Sequence, residues 1–454
     1  MKKVLSMLLV CMMMATLFVG CATKADTTEP ENNATEATPE TAEPAEAPEA
    51  AEPVEITFWH AMSGANEEAM LKITDDFMAA YPNVKVTLVQ QGGYRDLFDK
   101  LMAAAKAEQL PTIAQIYSNR LSWYVSKGLV EDMTPYMQDA ENGFTAADYE
   151  DIPKMFLDDG IWDGKQYAVP FNKSQMVLYY NVDMLEDAGV AVPTTWEEWT
   201  AASAALTADK DGDGEPDVYG TVFENGLSTD IAPWFKQAGG TTINDETGEI
   251  MFNTEAAKEA VAFINTMIQN KTARFAGDDK SQNVPLQQGR AAMCVASTSA
   301  LPYIEKDTME GITINCAPLP SYKTDDQLFY GTNVTMFNAA SEAEKAAAWN
   351  YVKFLTNTEN TAYFGSQTGY IPVRKSAQEV PVFKAVLEEK PMKKVPFASM
   401  DRGFQGARCV GSINALDALG EELDLVFSGQ KDIDSALADA QTKGEQAMEA
   451  AQNN

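Results

Sequence analysis

Apolar positions along the chain change period several times, and each change marks an element. Lys2 and Lys3 precede a predominantly apolar run from Val4 to Val19 that ends at Gly20-Cys21. That run is too short for a stable membrane span and has the flanks of a secretory signal. From Ala22 to Pro53 the chain uses almost only Ala, Thr, Pro, Glu and Asn, with no aromatic residue and no period. Such a segment buries too little apolar surface to offset its ordering entropy, so it reads as a disordered tether. Periodicity then sets in. Ile56 to Trp59 reads as a buried strand, and Asn66 to Tyr81 places Met70, Ile73, Phe77 and Ala80 on one helical face. Val84, Val86 and Leu88 alternate as a strand, Tyr94 to Glu108 is helical with Leu97, Leu101 and Ala105 in register, and Ile113 to Tyr117 is a short strand after Pro111. Strand, helix, strand, helix, strand predicts a parallel sheet with right-handed crossovers and a ligand beyond the carboxyl ends of its strands.

The same grammar continues without sequence repeats. Strands are predicted at Val177 to Tyr180 and Ala292 to Ala296, and helices at Trp196 to Leu206, Thr254 to Gln269, Ala343 to Leu355 and Asp432 to Ala450. The pattern therefore requires at least two α/β lobes, and 454 residues leave room for them.

Charge narrows the partners. With 34 Lys+Arg against 67 Asp+Glu, the formal net charge is -33. Phosphate backbones are held by basic faces, so a nucleic-acid partner is excluded, and anionic lipid is repelled. The tether holds part of this acidity; most of it belongs to the folded region, where it favours solubility. Cys11 leaves with the signal, and Cys294, Cys316 and Cys409 are an odd set without the spacing of a disulfide framework or a zinc site.

Catalytic patterns are sparse. His60 is the only histidine, which removes His-based triads and zinc clusters unless His60 itself serves, and a lone His after a strand reads as structural. No Gly-rich phosphate loop appears. Paired-carboxylate glycoside hydrolysis stays open, since acids abound. Asp209, Asp211, Asp213, Glu215 and Asp217, with Gly214 at position six, match the spacing of a calcium loop, but position twelve is Gly220 instead of a bidentate Glu. The same residues fit a weak structural calcium site or an acidic turn that binds no ion. No cofactor is otherwise required.

Several motifs carry a family resemblance. Phe58-Trp59-His60-Ala61-Met62-Ser63-Gly64, Gly93-Tyr94, Pro111-Thr112-Ile113-Ala114-Gln115-Ile116-Tyr117, Pro170-Phe171-Asn172, Leu178-Tyr179-Tyr180-Asn181, Thr195-Trp196-Glu197-Glu198 and Thr368-Gly369-Tyr370-Ile371-Pro372 follow one another in order. From Ile56 to the C-terminus the chain resembles the extracellular solute-binding proteins of ABC importers, in the maltose-binding-like family and closest to its glycerol-3-phosphate-binding members. Phe18-Val19-Gly20-Cys21 similarly resembles a bacterial lipoprotein signal, which implies lipidation of Cys21 and anchoring to the outer face of the cytoplasmic membrane.

The resemblance implies an α/β, two-lobed clamp of the periplasmic-binding-protein type II class. It implies three hinge crossovers, near Ala168 to Lys173, Met293 to Ser297 and Tyr330 to Asn333. The domain reading is then 1–20 signal, 21–53 lipidated cysteine and linker, 54–169 with 298–330 as the first lobe, and 174–293 with 334–454 as the second. A monomeric, noncatalytic receptor would capture its solute in the interlobe cleft and present it to a permease with its ATPase. The glycerol-3-phosphate site falls on Tyr94, Ser174, Ser297, Gly331, Tyr370 and Arg408. Hydroxyl donors, an approachable backbone N–H and a guanidinium fork suit a phosphomonoester. Lys173 is either a second cation or a surface residue.

One departure matters: the family's Glu for glycerol hydroxyls corresponds to Ser118. The shorter side chain leaves room for a larger nonphosphate end, such as a glycerophosphodiester headgroup. Trp59, Trp162, Trp196 and Trp234 fit either core packing or stacking on a sugar, with Trp196 nearest the cleft by family analogy. The expected ligand is a glycerol phosphate or a glycerophosphodiester; an oligosaccharide and, more remotely, a secreted carboxylate glycosidase are the alternatives.

Overall fold

The structure, a computed structural model, describes residues 53–453. The signal run, Cys21 and the acidic tether lie outside the described residues. Among those described, no helix is long and apolar enough to cross a membrane.

Strands β1 (Val54–His60), β2 (Val84–Gln90) and β3 (Ile113–Ile116) alternate with helices α1 (Ala65–Ala80) and α2 (Tyr94–Lys106), and α3 (Ser118–Ser126) follows at once. The three strands are parallel, with β1 between the other two. The chain continues through β4 (Ala168–Asn181), α4 (Trp196–Leu206), β5 (Tyr219–Phe223), α5 (Glu255–Gln269), β6 (Ala273–Phe275), β7 (Ala291–Ser297), β8 (Ile314–Pro318) and β9 (Gln327–Met336). It ends with α6 (Glu342–Leu355), α7 (Thr358–Gln367), β10 (Gly403–Phe404), α8 (Ser412–Phe427) and α9 (Ile433–Asn453). Local chemistry sets the helix starts. The Thr195 and Thr254 hydroxyls accept backbone N–H bonds at α4 and α5, and Ser341 and Glu344 form a capping box at α6.

One ten-stranded sheet runs through both lobes in the order β2-β1-β3-β9-β4-β7-β5-β6, with β8 on β4 and β10 on β9. Strand β4 is buried almost end to end. Its first half pairs antiparallel with β9 and its second half with β7 and β8, so this one strand belongs to both lobes. The first lobe packs Ile56, Phe58, Ile73 and Phe77 against Trp349 and Val352 of α6. The second packs Trp199, Phe223, Trp234 and Ile264 against Leu419 and Leu437. Cys294 and Cys316 are buried free thiols, and Cys409 is a half-buried one.

The predicted allocation of chain to lobes needs correction. Residues 298–328 pack with the second lobe: Leu301, Ile304 and Cys316 pack with Tyr179 and Cys294, and Leu319 and Leu328 join the large core there, while Phe329 turns to the first core. The first part of 334–454 belongs to the first lobe instead, since Val334, Met336, Trp349 and Ile371 pack with Ile56 and Phe58. Strand pairing is the cause. From Asn333 to Met336, β9 is bonded to β3, so the chain leaving it emerges beside β1, whereas β8 is bonded to the far half of β4. The crossover expected near Met293 to Ser297 is also displaced. Strand β7 stays inside the second lobe, and the third passage runs from Met400, packed on the first core, to Phe404 and Ala407 on the second.

His60 ends β1, is 1% exposed, and its Nδ1 has no hydrogen-bond partner among the described residues. Burial holds its pKa down to about 4, against a smaller upward pull from the Met62 backbone. The unfolded chain takes up this proton near pH 6.5 and the folded chain only near 4, so the stability conferred by a neutral His60 is complete above the first value. It falls as pH drops through that window, by about 3 kcal/mol. In urea unfolding between pH 7 and 4, His60→Asn is expected to lose stability less steeply than the parent; parallel curves would rule this out.

Candidate ligand cleft

A cavity of about 320 Å³ opens between the lobes. Phe98, Tyr117, Ser118, Asn119, Arg120 and Asp159 line it from the first lobe. Thr229, Asp230, Thr242 and Gln405 to Arg408 line it from the second, with Leu328, Tyr330 and Gly331 of β9 as its floor. Its position follows from the fold: α3 starts at the carboxyl end of β3, where a parallel sheet leaves a crevice. Gly331 sets the spacing of the floor. Its φ is 126°, and a Cβ there would lie 2.1 Å from the Asn172 carbonyl oxygen of β4.

A buried polar cluster begins at the cavity wall with Ser118 and Asp159. The Lys173 ammonium donates to Asp159 Oδ2 at 2.6 Å, and Asn333 Nδ2 donates to the same oxygen at 2.9 Å and to Ser118 Oγ at 3.0 Å. The side chains of Lys173 and Asp159 are 0% and 5% exposed. Burial raises the Asp159 pKa, but the Lys173 charge and the hydrogen bonds from Lys173, Ser118 and Asn333 outweigh it, so the carboxyl titrates below its ordinary value. Lys173 is accordingly neither a surface residue nor a free cation of the cleft; its charge is spent on Asp159.

Arg408 is held on several sides. Its Nε donates to Asp245 Oδ2 at 2.8 Å, and its Nη1 donates to the carbonyl oxygens of Asp158 and Ile161 in the first lobe. The guanidinium lies 4.9 Å from the Trp162 ring centroid. These contacts leave Nη2 as the part of the fork available to a ligand, and they tie the second lobe to the first. Arg120 has neither ion pair nor side-chain hydrogen bond within bonding distance among the described residues; its guanidinium lies 5.8 Å from the Phe98 ring. Among the described residues Asp230 has only Thr229 as a hydrogen-bonding neighbour, and burial together with the Glu224 charge raises its pKa to about 6. Gln405 Nε2 is buried without a partner among the described residues.

Residues 72–391 match the family described as bacterial extracellular solute-binding protein. The chain belongs to this family. Solute-binding proteins are the noncatalytic capture subunits of ABC importers, working outside the cytoplasmic membrane, which removes the glycosidase alternative. The chain is 26% identical over 416 residues to the sn-glycerol-3-phosphate-binding periplasmic protein UgpB of Rhizobium meliloti (strain 1021), covering 88% of this chain and 95% of that one. It is 24% identical over 414 residues to UgpB of Brucella abortus (strain 2308), covering 88% and 94%. Among solved structures, UgpB from Mycobacterium tuberculosis in complex with glycerophosphocholine superposes with a TM-score of 0.77 at 22% identity, over 88% and 99% of the two chains. The maltodextrin-binding domain MalE of Bdellovibrio bacteriovorus bound to maltotriose gives 0.72 at 20%, over 87% and 100%. These likenesses establish the periplasmic-binding-protein fold.

Within this solute-binding protein the expected site residues divide into groups. Ser118, Gly331 and Arg408 line the cavity. Tyr94, Tyr370 and Ser297 are not among its lining residues: the two tyrosine hydroxyls are 3.2 Å apart, Asn172 Nδ2 donates to Tyr94 at 2.9 Å, and Ser297 Oγ lies 2.7 Å from Ser299 Oγ. Tyr94 meets the cavity-lining Tyr117 edge-on at 5.1 Å. Ser174 is buried on β4, 3.5 Å from the Tyr330 carbonyl. Trp196 does not reach the cleft. It is stacked between Phe263 and Tyr322, and its Nε1 donates to Gln237 at 2.7 Å. Trp59 and Trp234 likewise pack in cores, and Trp162 carries Arg408 on its face.

Sequence reasoning missed Arg120, Asp230, Gln405, Tyr117 and Tyr330. Arg120 had a signal in its place two residues after Ser118; Asp230 lies in an aperiodic stretch and had none. In the acidic loop, carboxylate oxygens of Asp209, Asp211 and Asp217 lie within 4.8 Å of one another. Asp213 and Glu215 are not part of that group; Glu215 pairs with Lys271, and Asp213 accepts the Glu215 backbone N–H.

Proposed function

We propose that this receptor captures sn-glycerol-3-phosphate or a related glycerophosphodiester and that lipidated Cys21 anchors it beside its permease. The observation that carries the reading is the set of donors facing one cavity: the free Arg120 guanidinium, the open edge of Arg408 and the unpartnered Gln405 amide. In a chain with so large an acid excess, two arginines and an amide converging on a cleft supply what a phosphate requires. The glycerol-3-phosphate-binding proteins named above support the same ligand class.

An oligosaccharide is the second reading, favoured by Phe98, Tyr117 and Tyr330 around the cavity and by the carboxylates of Asp159 and Asp230, which can accept sugar hydroxyls. Calorimetry with sn-glycerol-3-phosphate and maltotriose separates the two. The phosphate ligand is expected to bind, and Arg120→Ala and Arg408→Ala each to weaken it by about tenfold to a hundredfold, the value of one lost charge-assisted contact. Binding of maltotriose alone, unaffected by Arg408→Ala, would overturn the phosphate reading.

A further inference from the structure

The turn from Asp158 to Ile161 serves two purposes. The carbonyl oxygens of Asp158 and Ile161 accept Nη1 of Arg408 from the opposite lobe, and Asp159, between them, lines the cavity. A carboxylate is thereby fixed close to one of the two arginines to which the phosphate is assigned. The turn is pinned in place: the Tyr167 N–H donates to the Gly160 carbonyl at 2.8 Å, and Gln166 Nε2 donates to the Leu157 carbonyl at 3.0 Å. Lys173 of β4 and Asn333 of β9 are not among the lining residues, so they grip the Asp159 carboxyl from the protein side. Both bond Oδ2, and neither takes Oδ1. The Ser118 hydroxyl stands beside the same carboxyl at the cavity wall.

An ionised carboxylate only accepts hydrogen bonds, and a polyol has hydroxyls to donate. Next to a phosphate, a bare carboxylate would repel the ligand. Lys173 removes that conflict, since its ammonium, 2.6 Å away and wholly buried, compensates the Asp159 charge without entering the cavity. Asp230, the other carboxylate of the cavity, has no ion pair among the described residues, and its charged neighbour is Glu224.

We infer that Asp159 is the specificity-determining acceptor for ligand hydroxyls, presenting Oδ1 to the cavity, and that Lys173 is a positioning residue acting through it. This rests on the phosphate reading above and adds the group that reads the rest of the ligand. The hydroxyls of a glycerol phosphate stand one and two carbons beyond its ester carbon, so an acceptor near the phosphate donors is where they arrive. Ser118 then supports a carboxylate from a neighbouring turn instead of supplying one.

Calorimetry on the full chain tests this with sn-glycerol-3-phosphate and two probes that each lack one hydroxyl, 1,2-propanediol 1-phosphate and 1,3-propanediol phosphate. The parent is expected to bind at least one of the two about tenfold or more weakly, the value of one hydrogen bond to a charged group. Asp159→Leu with Lys173→Met, which removes acceptor and cation together, is expected to erase that difference while the deoxy probes keep their parent affinities. Asp230→Asn is expected to preserve it. A purely structural role for the pair would weaken all three probes together and leave their ratio unchanged. Equal affinity of the parent for the three overturns the inference without any variant. So does a difference that survives the double variant, or one that Asp230→Asn abolishes. Each of these leaves the phosphate reading standing, whereas no binding of any of the three overturns both.

Discussion

Replacing Asp159 by Asn is expected to destabilise the protein by about 3–5 kcal/mol, because it leaves the Lys173 ammonium buried without a counter-charge. The pair is fully inside, at 2.6 Å, and the hydrogen bonds from Asn333 and Ser118 are arranged around a carboxylate. An amide keeps one acceptor oxygen for Lys173 and Asn333, but removes the charge and sets an N–H₂ donor beside Ser118. The loss should be partly restored by Lys173→Met in the same chain, since two neutral side chains carry no unpaired charge. Urea denaturation of the single and double variants checks this, and a single variant within 1 kcal/mol of the parent would show that Lys173 sheds its proton at little cost. The pair also has a pH signature. A carboxyl held below its ordinary value contributes stability in full above that ordinary value, and the contribution is lost as pH falls through the folded value. Asp159→Asn should therefore flatten the acid limb of the stability curve.

Gly331→Ala should be similarly severe. At φ 126° an L side chain is strained whatever the space around it, and the new Cβ would sit 2.1 Å from the Asn172 oxygen and 2.9 Å from the Lys173 Cα. Neither neighbour is a flexible side-chain end; both are backbone of β4, so relief requires the two crossover strands to separate. Strain and overpacking together come to about 3–5 kcal/mol. Ligand binding should suffer beyond that, because Gly331 is also the floor of the cavity. Gly406→Ala is the control: it lines the same cavity, yet a Cβ there meets nothing within 4 Å. Equal thermal unfolding of the two variants would contradict the proposed cause.

Local periodicity made the elements legible. On α1, Met70, Ile73 and Phe77 are buried as expected, while Ala80 in the last turn is exposed and Thr74 is buried. On α2, Ala104 is buried where Ala105 was expected, a shift of one position that period alone does not resolve. The allocation of chain to lobes was not legible, because it depends on which strands pair across hundreds of residues, and no local pattern records that β9 joins β3 to β4. Within the site, the resemblance located Ser118, Gly331 and Arg408 at the cavity, but it said nothing of the bonds that already occupy Arg408. Trp196 shows the limit of analogy: an aromatic residue at a helix start carries no mark of which way its face turns, and here it turns into the core. Asp230 and Gln405 stand outside any period, and only the assembled cleft brings them to one cavity, where the Gln405 amide has no partner among the described residues.

The junction between the halves of the molecule is a sheet and not a pair of loose linkers. Strands β4 and β9 keep their ladder from one lobe into the other, interrupted only by a register shift between Thr332 and Asn333, next to Gly331. A break of this kind locally raises twist while the bonds on either side persist. The joint therefore behaves as a torsion bar: it resists sliding and splaying of the lobes, and it leaves rotation about one axis as the soft motion. A permease meeting this receptor would then distinguish its loaded and unloaded forms by an angle, with the shapes of the two lobe surfaces unchanged.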